Sequence, residues 1–211
     1  MTDVHCHLAS GDGTVRELLV GRDFLGVHPW AADALDLAAL RRVLAAKASA
    51  GVGEIGLDRL REREIPPAMR AAFESQLALA AELGRPVALH GAKCWGQVVR
   101  ACARYAGRIP AFLFHGFSRS EGLLPDIARL NGFVSVGPAV LNDHAVNYRE
   151  LVRRIPAELL VVETDRTAET AATCPSVREV LAKAAELRGV PAAELEAQTD
   201  ANAARLLPLL P

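Results

Sequence analysis

The chemistry of this chain opens with two histidines one residue apart, in Thr2-Asp3-Val4-His5-Cys6-His7-Leu8. In an apolar, β-prone run, side chains alternate between faces, so His5 and His7 project together and Cys6 points away toward a core. Neutral imidazole is the commonest side-chain metal ligand, and two at a strand end supply half a metal site. The pair alone says little, because a strand tolerates two histidines without an ion. The same residue types recur at later apolar runs: His28 after 23–27, Glu54 within 52–57, His90 closing 86–90, His115 closing 111–115, and Asp165 just past 159–163. Each has an ordinary reading, as a hydrogen-bonded strand-end histidine, a buried structural carboxylate or a cap. Those readings would have to hold together at five strands. Glu54 presses hardest, since an unpaired buried carboxylate is costly and demands a cation. Imidazole mixed with carboxylate suits hard to borderline divalent cations. A carboxylate shared by two cations is what a two-metal hydrolase requires. Glu54, in mid-strand and facing the mouth, is the candidate bridge, and all of the set except His28 can be placed near one axis.

Such a set needs a scaffold that gathers strand ends. From residue 23 onward apolar runs alternate with helical patterns. Strands are expected over 23–28, 52–57, 86–90, 111–115, 133–136 and 159–163, and helices over 36–50, 66–83, 95–105, 121–130, 145–154, 176–187 and 192–207. Leu37, Leu40, Val43 and Leu44 share one helical face, with Asp33 or Asp36 as the cap. Pro66-Pro67 suits a first turn and Gly84 a helix end. Alternation of this kind implies a parallel sheet with right-handed crossovers. Residues 2–8 make a seventh strand, and 14–20 an eighth if they are extended. The preceding turn is too short for the dozen or so residues of a parallel crossover, so 14–20 is expected to run antiparallel. A short helical plug in a seven-stranded or open barrel is the alternative. The expected fold is therefore α/β, a TIM-type (β/α) barrel over 1–211 as one domain, with its first crossover helix missing or replaced by a short antiparallel strand or loop. Its active site belongs at the carboxyl ends of the strands.

Composition bounds the function. The chain has 211 residues, is 51% hydrophobic and carries a net charge of −1, so it has no general basic surface for coating long nucleic acid. A local cationic mouth is still compatible with that balance. The cysteines, Cys6, Cys94, Cys102 and Cys174, include no C-x-x-C pair, which argues against a zinc ribbon. The first motif begins within five residues, leaving no room for a signal peptide, and no apolar run is long enough for a bilayer. A cytoplasmic protein with reduced thiols is expected, and nothing calls for an obligate protein partner.

Together, Asp-x-His-x-His-Leu at 3–8, His28-Pro29, Gly-Glu-Ile-Gly-Leu-Asp at 53–58, Pro-Val-x-x-His at 86–90, His-x-Phe-Ser at 115–118 and Glu-Thr-Asp at 163–165 resemble the TatD family of metal-dependent hydrolases. The order and spacing match along essentially the whole chain. The resemblance implies a TIM-type barrel, two divalent metals (Mg, Mn or Zn) and deoxyribonuclease or phosphodiesterase activity. By position, it implies that His5, His7, Glu54 and Asp165 hold one metal and Glu54, His90 and His115 the other. Three features depart from the family: the short first crossover, Gly-Ala-Lys after His90 where many members have Ser-Arg, and Arg166-Thr167-Ala168 where many have Ser-Pro-Tyr. They line the mouth, so they bear on the substrate more than on the metals.

The expected reaction is metal-dependent hydrolysis of a phosphodiester in a small phosphate ester or a DNA end. Water activated near neutral pH attacks phosphorus in line, Asp165 takes the proton, and Glu54 bridges the metals. His28 is a candidate substrate contact and equally a loop cap. Lys93 is a candidate point charge for a phosphate oxygen and equally a solvated lysine. Arg59 and Arg166 are further cations near the mouth, Asp58 a candidate for orienting a ligand, and His144 a surface residue. Trp30 and Trp95 are of the type that stacks bases, though each flanks a helix start where packing alone explains it. Hydrolysis of an amide, ester or lactone on the same centre is the alternative, since it needs the same activated water. A non-catalytic metal-binding protein fits a complete ligand set less well.

Overall fold

The computed structural model describes residues 1–118 and 120–207. Among them are eight strands: β1 (Thr2–Cys6), β2 (Arg16–Leu19), β3 (Phe24–Leu25), β4 (Gly51–Asp58), β5 (Val87–Ala92), β6 (Phe112–Phe114), β7 (Gly132–Val136) and β8 (Leu160–Val162). Seven α-helices accompany them: α1 (Leu37–Ala46), α2 (Pro67–Leu83), α3 (Trp95–Ala103), α4 (Leu124–Arg129), α5 (Val146–Arg154), α6 (Val177–Arg188) and α7 (Ala192–Leu206). β3 to β8 form a sheet in chain order and β1 pairs with β2, every pairing being parallel. A bridge between Val20 and Phe24 joins the two sheets on one side. On the other, Asp165 N donates to His5 O at 3.0 Å, and His7 N and Leu8 N donate to Arg166 O at 2.8 and 2.9 Å. The architecture is a TIM-type α/β barrel with a shortened first crossover.

Residues 14–20 do contain a strand, but its expected direction is corrected: β2 runs parallel to β1, with Thr2 beside Arg16 and Cys6 beside Leu19. The reason is reach. Residues 7–15, at up to about 3.3 Å each, span enough distance to return along a five-residue strand without a helix. The turn is made at Asp12, whose Oδ1 accepts from Thr14 N and whose carbonyl accepts from Val15 N. β3 is also shorter than expected. It ends at Leu25, and His28 instead caps a 3-10 turn over Pro29–Ala34.

Elsewhere local chemistry sets the boundaries. Asp36 Oδ1 accepts from Ala39 N at 2.9 Å and starts α1. α2 begins after Pro66 and stops at Gly84, in the left-handed region at φ +62°. Ser176 and Glu179 form a reciprocal cap at the start of α6. In β5 to β8 alternation sorts the side chains. Val87, Leu89, Phe112, Phe114, Val134, Val136, Leu160 and Val162 pack on the helices, in one large apolar cluster. Ala88, Leu113, Phe133 and Val161 form a second cluster inside, with Ala203 and Leu206 of α7. Asn202 ties α7 to the strand beside it, donating from Nδ2 to Ala157 O and Leu160 O, both at 2.8 Å. Above the interior apolar layer the same faces present His90, His115 and Glu163 at the carboxyl end. No described helix is long and apolar enough to cross a membrane.

Candidate metal centre

Glu54 lies at the centre of the mouth. Its side chain is 2% exposed, and it sits where the β4–β5 register shifts between Val52 and Ile55, an irregularity of the kind that re-aims a side chain. β4 and β5 also approach closely: a Cβ on Gly56, at φ +153°, would stand 1.9 Å from the His90 carbonyl oxygen. Only glycine fits there, and the approach brings Glu54 and His90 together.

The two oxygens of Glu54 face different histidines. Oε2 lies 3.5 Å from His5 Nε2 and 3.4 Å from His7 Nε2. Those nitrogens are in turn 3.7 and 3.5 Å from Asp165 Oδ1. Oε1 lies 2.8 Å from His90 Nδ1, 2.7 Å from His115 Nε2 and 3.7 Å from His28 Nε2. Five of the chain's six histidines thus surround one carboxylate; His144 is exposed elsewhere.

The donor set fits divalent cations. His5 is fully buried, and both its ring nitrogens lack a hydrogen-bond partner among the described residues. Two ligands about 2.1 Å from one tetrahedral ion stand roughly 3.4 Å apart, close to the 3.4–3.7 Å spacing of His5, His7, Glu54 and Asp165. The spacing is too long for strong hydrogen bonds. On the other side, His90 Nε2 lies 2.7 Å from Asp58 Oδ2. A proton donated there leaves the Nδ1 lone pair facing a site shared with Glu54 Oε1. Carboxylates behind ligand histidines serve in this way in metal centres. His115 Nδ1 faces Glu163 Oε1 at 3.7 Å, beyond hydrogen-bond distance, and that oxygen is held by Gly116 N at 2.8 Å.

Electrostatics follow the geometry. Burial pushes the Glu54 carboxyl up, but His115, His5 and His7 together hold it well below the ordinary carboxylate range. Hydrogen bonding to Asp165 and then to Glu54 raises His7 to about 9. Burial lowers His115, yet Glu54 and Glu163 carry it well above the usual imidazole value. Burial also opposes ionisation of Asp165 and Asp58, but His7 keeps the first low, and the Leu60 N–H with His90 keeps the second low. His28 goes the other way, to about 4, chiefly from burial.

His28 also corrects the expectation that it stands off the axis. The end of β3 and the 3-10 turn fold it back, so it serves as cap and faces the site together. Its Nδ1 accepts from Trp30 N at 3.1 Å, which places the proton on Nε2, toward Glu54. It therefore presents a donor rather than a lone pair. Lys93 lines a mouth cavity with His90, His115 and Asp165. Lys93 and Asp165 adopt φ +58° and +50°, a region that non-glycine residues seldom occupy, and both border that cavity. Arg59 is not among the residues lining it, and Arg59 Nε donates to Arg63 O. The Arg166 side chain lines a different cavity with Asp3 and Cys174. Trp95 is buried against Phe114 and Phe117, whereas Trp30 is 48% exposed. Cys6 is buried, as alternation requires. Glu163 escaped the sequence reading, though Val161 and Glu163 share one face of β8 and its extension by the same alternation.

A family model described as TatD related DNase matches residues 20–208. The chain belongs to that family. Among curated TatD relatives, the 3'-5' ssDNA/RNA exonuclease TatD of Klebsiella pneumoniae is 34% identical over 163 residues, covering 72% of this chain and 62% of that protein. Its counterpart from Erwinia tasmaniensis is 31% identical over 201 residues, covering 87% and 77%. The alignment to the Klebsiella protein thus spans less than two thirds of its length. In fold, a TatD homologue from Escherichia coli K12 superposes with a TM-score of 0.75 at 24% identity, over 96% of this chain and 80% of the other. An uncharacterized amidohydrolase from Saccharomyces cerevisiae does so with a TM-score of 0.69 at 17% identity, over 91% and 80%.

Proposed function

We propose that this TatD family chain is a divalent-metal-dependent phosphodiesterase acting on a DNA end or a small phosphate ester. The observation that carries the reading is the division of labour at Glu54, with Oε2 toward His5 and His7 and Oε1 toward His90 and His115. His5, His7, Asp165 and Glu54 would hold one cation, and Glu54, His90 and His115 a second, each Mg, Mn or Zn. Cations bound there polarise a phosphoryl oxygen and bring the pKa of water toward neutrality. Asp165, half-exposed at the mouth and kept ionised by His7, receives the proton of the attacking water. His28 donates from Nε2 and Lys93 from Nζ to phosphoryl oxygens as charge builds on them. Asp58 fixes the ring orientation of His90, and Glu163 places a negative charge behind the His115 ring. The exonuclease activity named for the curated relatives supports nucleic acid as the substrate class.

The test is turnover of phosphodiester, phosphomonoester, amide and lactone substrates by protein stripped with chelator and then reloaded. Phosphodiester hydrolysis should vanish on stripping and return with Mg²⁺, Mn²⁺ or Zn²⁺. Full turnover after exhaustive chelation and dialysis would refute a metal-dependent reaction. Hydrolysis confined to amides or lactones would refute the phosphodiesterase reading while leaving the metal centre intact.

A further inference from the structure

Trp30 supports the machinery above, through its backbone N–H on His28 Nδ1 and its side chain at Asp58, but its exposed ring has no role there. Its ring lies 4.9 Å from the His28 ring and 6.4 Å from the His90 ring, centroid to centroid. The residue is 48% exposed, in contrast to the buried Trp95. The guanidinium carbon of Arg61 sits 3.6 Å from the Trp30 ring centroid. Next to the stacked pair opens a pocket of about 160 Å³, lined by Pro29, Trp30, Asp33, Arg61, Glu62 and Met69. It is distinct from the larger cavity that contains Lys93 and Asp165. A flat ring entering it meets an indole and a guanidinium, the two side-chain surfaces on which unstacked bases rest. Asp33 and Glu62 at the rim add acceptors for exocyclic amines, and Arg61 adds donors.

We infer that Trp30 and Arg61 form a stacking subsite for the nucleobase beside the phosphodiester to be cut. The inference rests on the nucleic-acid reading of the metal centre. It assigns to this pocket the base-dependence of the reaction, while the cations, His28 and Lys93 act on the phosphate. A pocket of about 160 Å³ takes a single base, so the base must leave its neighbours to enter. The short distance from Trp30 to His90 keeps the base and its phosphate within a single nucleotide of each other.

The test separates stacking from hydrolysis. The protein is titrated with dAMP and with 2-deoxyribose 5-phosphate, which carries the phosphate without the base, while tryptophan emission is followed. Deoxyadenosine monophosphate should quench the emission and the sugar phosphate should not, and the quench should be lost in Trp30→Phe, where only the buried Trp95 remains. Base stacking of about 1–3 kcal/mol predicts that Trp30→Ala binds dAMP roughly 5- to 150-fold more weakly. In parallel, kcat/KM is compared for oligonucleotides ending in a base and in an abasic sugar. The wild-type preference for the base should collapse toward unity in Trp30→Ala and persist in part in Trp30→Phe. A role confined to supporting Asp58 or His28 would lower both substrates alike and leave the ratio unchanged, which would overturn the inference. Equal binding of dAMP and the sugar phosphate by wild type would overturn it too. Trp30-dependent quenching without cleavage of any oligonucleotide would support the subsite and defeat the nuclease reading. Cleavage indifferent to the terminal base would do the reverse.

Discussion

At the scale of single residues, the arrangement around Glu54 makes its replacement more damaging than that of any one histidine. Glu54→Gln keeps the shape but removes the charge facing five imidazoles, so both candidate cation sites weaken together. His90→Ala strips one site only, and water can occupy the vacated position. Glu54→Gln is therefore expected to lose more turnover and more bound metal than His90→Ala. Metal stoichiometry by elemental analysis and kcat on both variants decide it, and a Glu54→Gln protein with both metals and near-normal turnover would make Glu54 a structural carboxylate. Asp58→Asn can still accept from His90 but no longer carries charge, and an orienting role predicts a loss of about 10- to 100-fold in metal affinity or activity. The six residues gathered at the mouth could be picked out because their types are expensive to leave on an apolar strand without a purpose. His28 was harder to place, since sequence alternation says nothing about a chain that leaves its strand early and doubles back. Glu163 was hidden by its neighbour: beside Asp165 it read as part of a motif rather than as the inward position after Val161.

At the scale of elements, the helices were legible because their ends carry explicit chemistry. Asp36, Pro67, Gly84 and Ser176 mark boundaries through hydrogen bonds or backbone preference, and the structure places them there. Strand direction has no such marker. The first crossover departs from the expectation because the dozen-residue requirement belongs to helical crossovers, whereas a bare loop returns on its length alone. Two substitutions test how elements support the site. Ser176→Ala removes the cap of α6, which is not among the candidate ligands, and should cost about 1 kcal/mol of stability with turnover unchanged. Gly56→Ala drives a methyl group into the His90 carbonyl at a backbone angle unsuited to alanine, and should cost roughly 2–5 kcal/mol while separating Glu54 from His90. Urea unfolding midpoints read both, and a Gly56→Ala protein with wild-type stability would mean that β4 and β5 part easily.

At the scale of the whole molecule, the site links stability to pH. Glu54, Asp58 and Asp165 have folded values below their unfolded ones. Their contribution is complete above the ordinary carboxylate range and lost as pH falls through the folded values. His7, raised to about 9, contributes fully below roughly 6.5 and loses that contribution as pH rises through about 9. Metal-free protein should therefore lose stability steadily from about pH 6.5 toward pH 9. Cations replace the protons on the imidazoles, so loading should release protons and move the optimum upward. Melting temperatures across pH, with chelator and with Mn²⁺, test this. A metal-free profile flat between pH 6.5 and 9 would contradict it.

The hydrogen bonds from Asp165 and from His7 and Leu8 across the seam between β8 and β1 have a further consequence, in time rather than space. A ribosome releases His5 and His7 long before Asp165. Until that late segment arrives and locks onto the first strand, the constellation lacks a member and the two earliest histidines have no fixed orientation. A metal centre of the proposed kind would thus stay unarmed while its own messenger is being read, and its completion would coincide with closure of its scaffold.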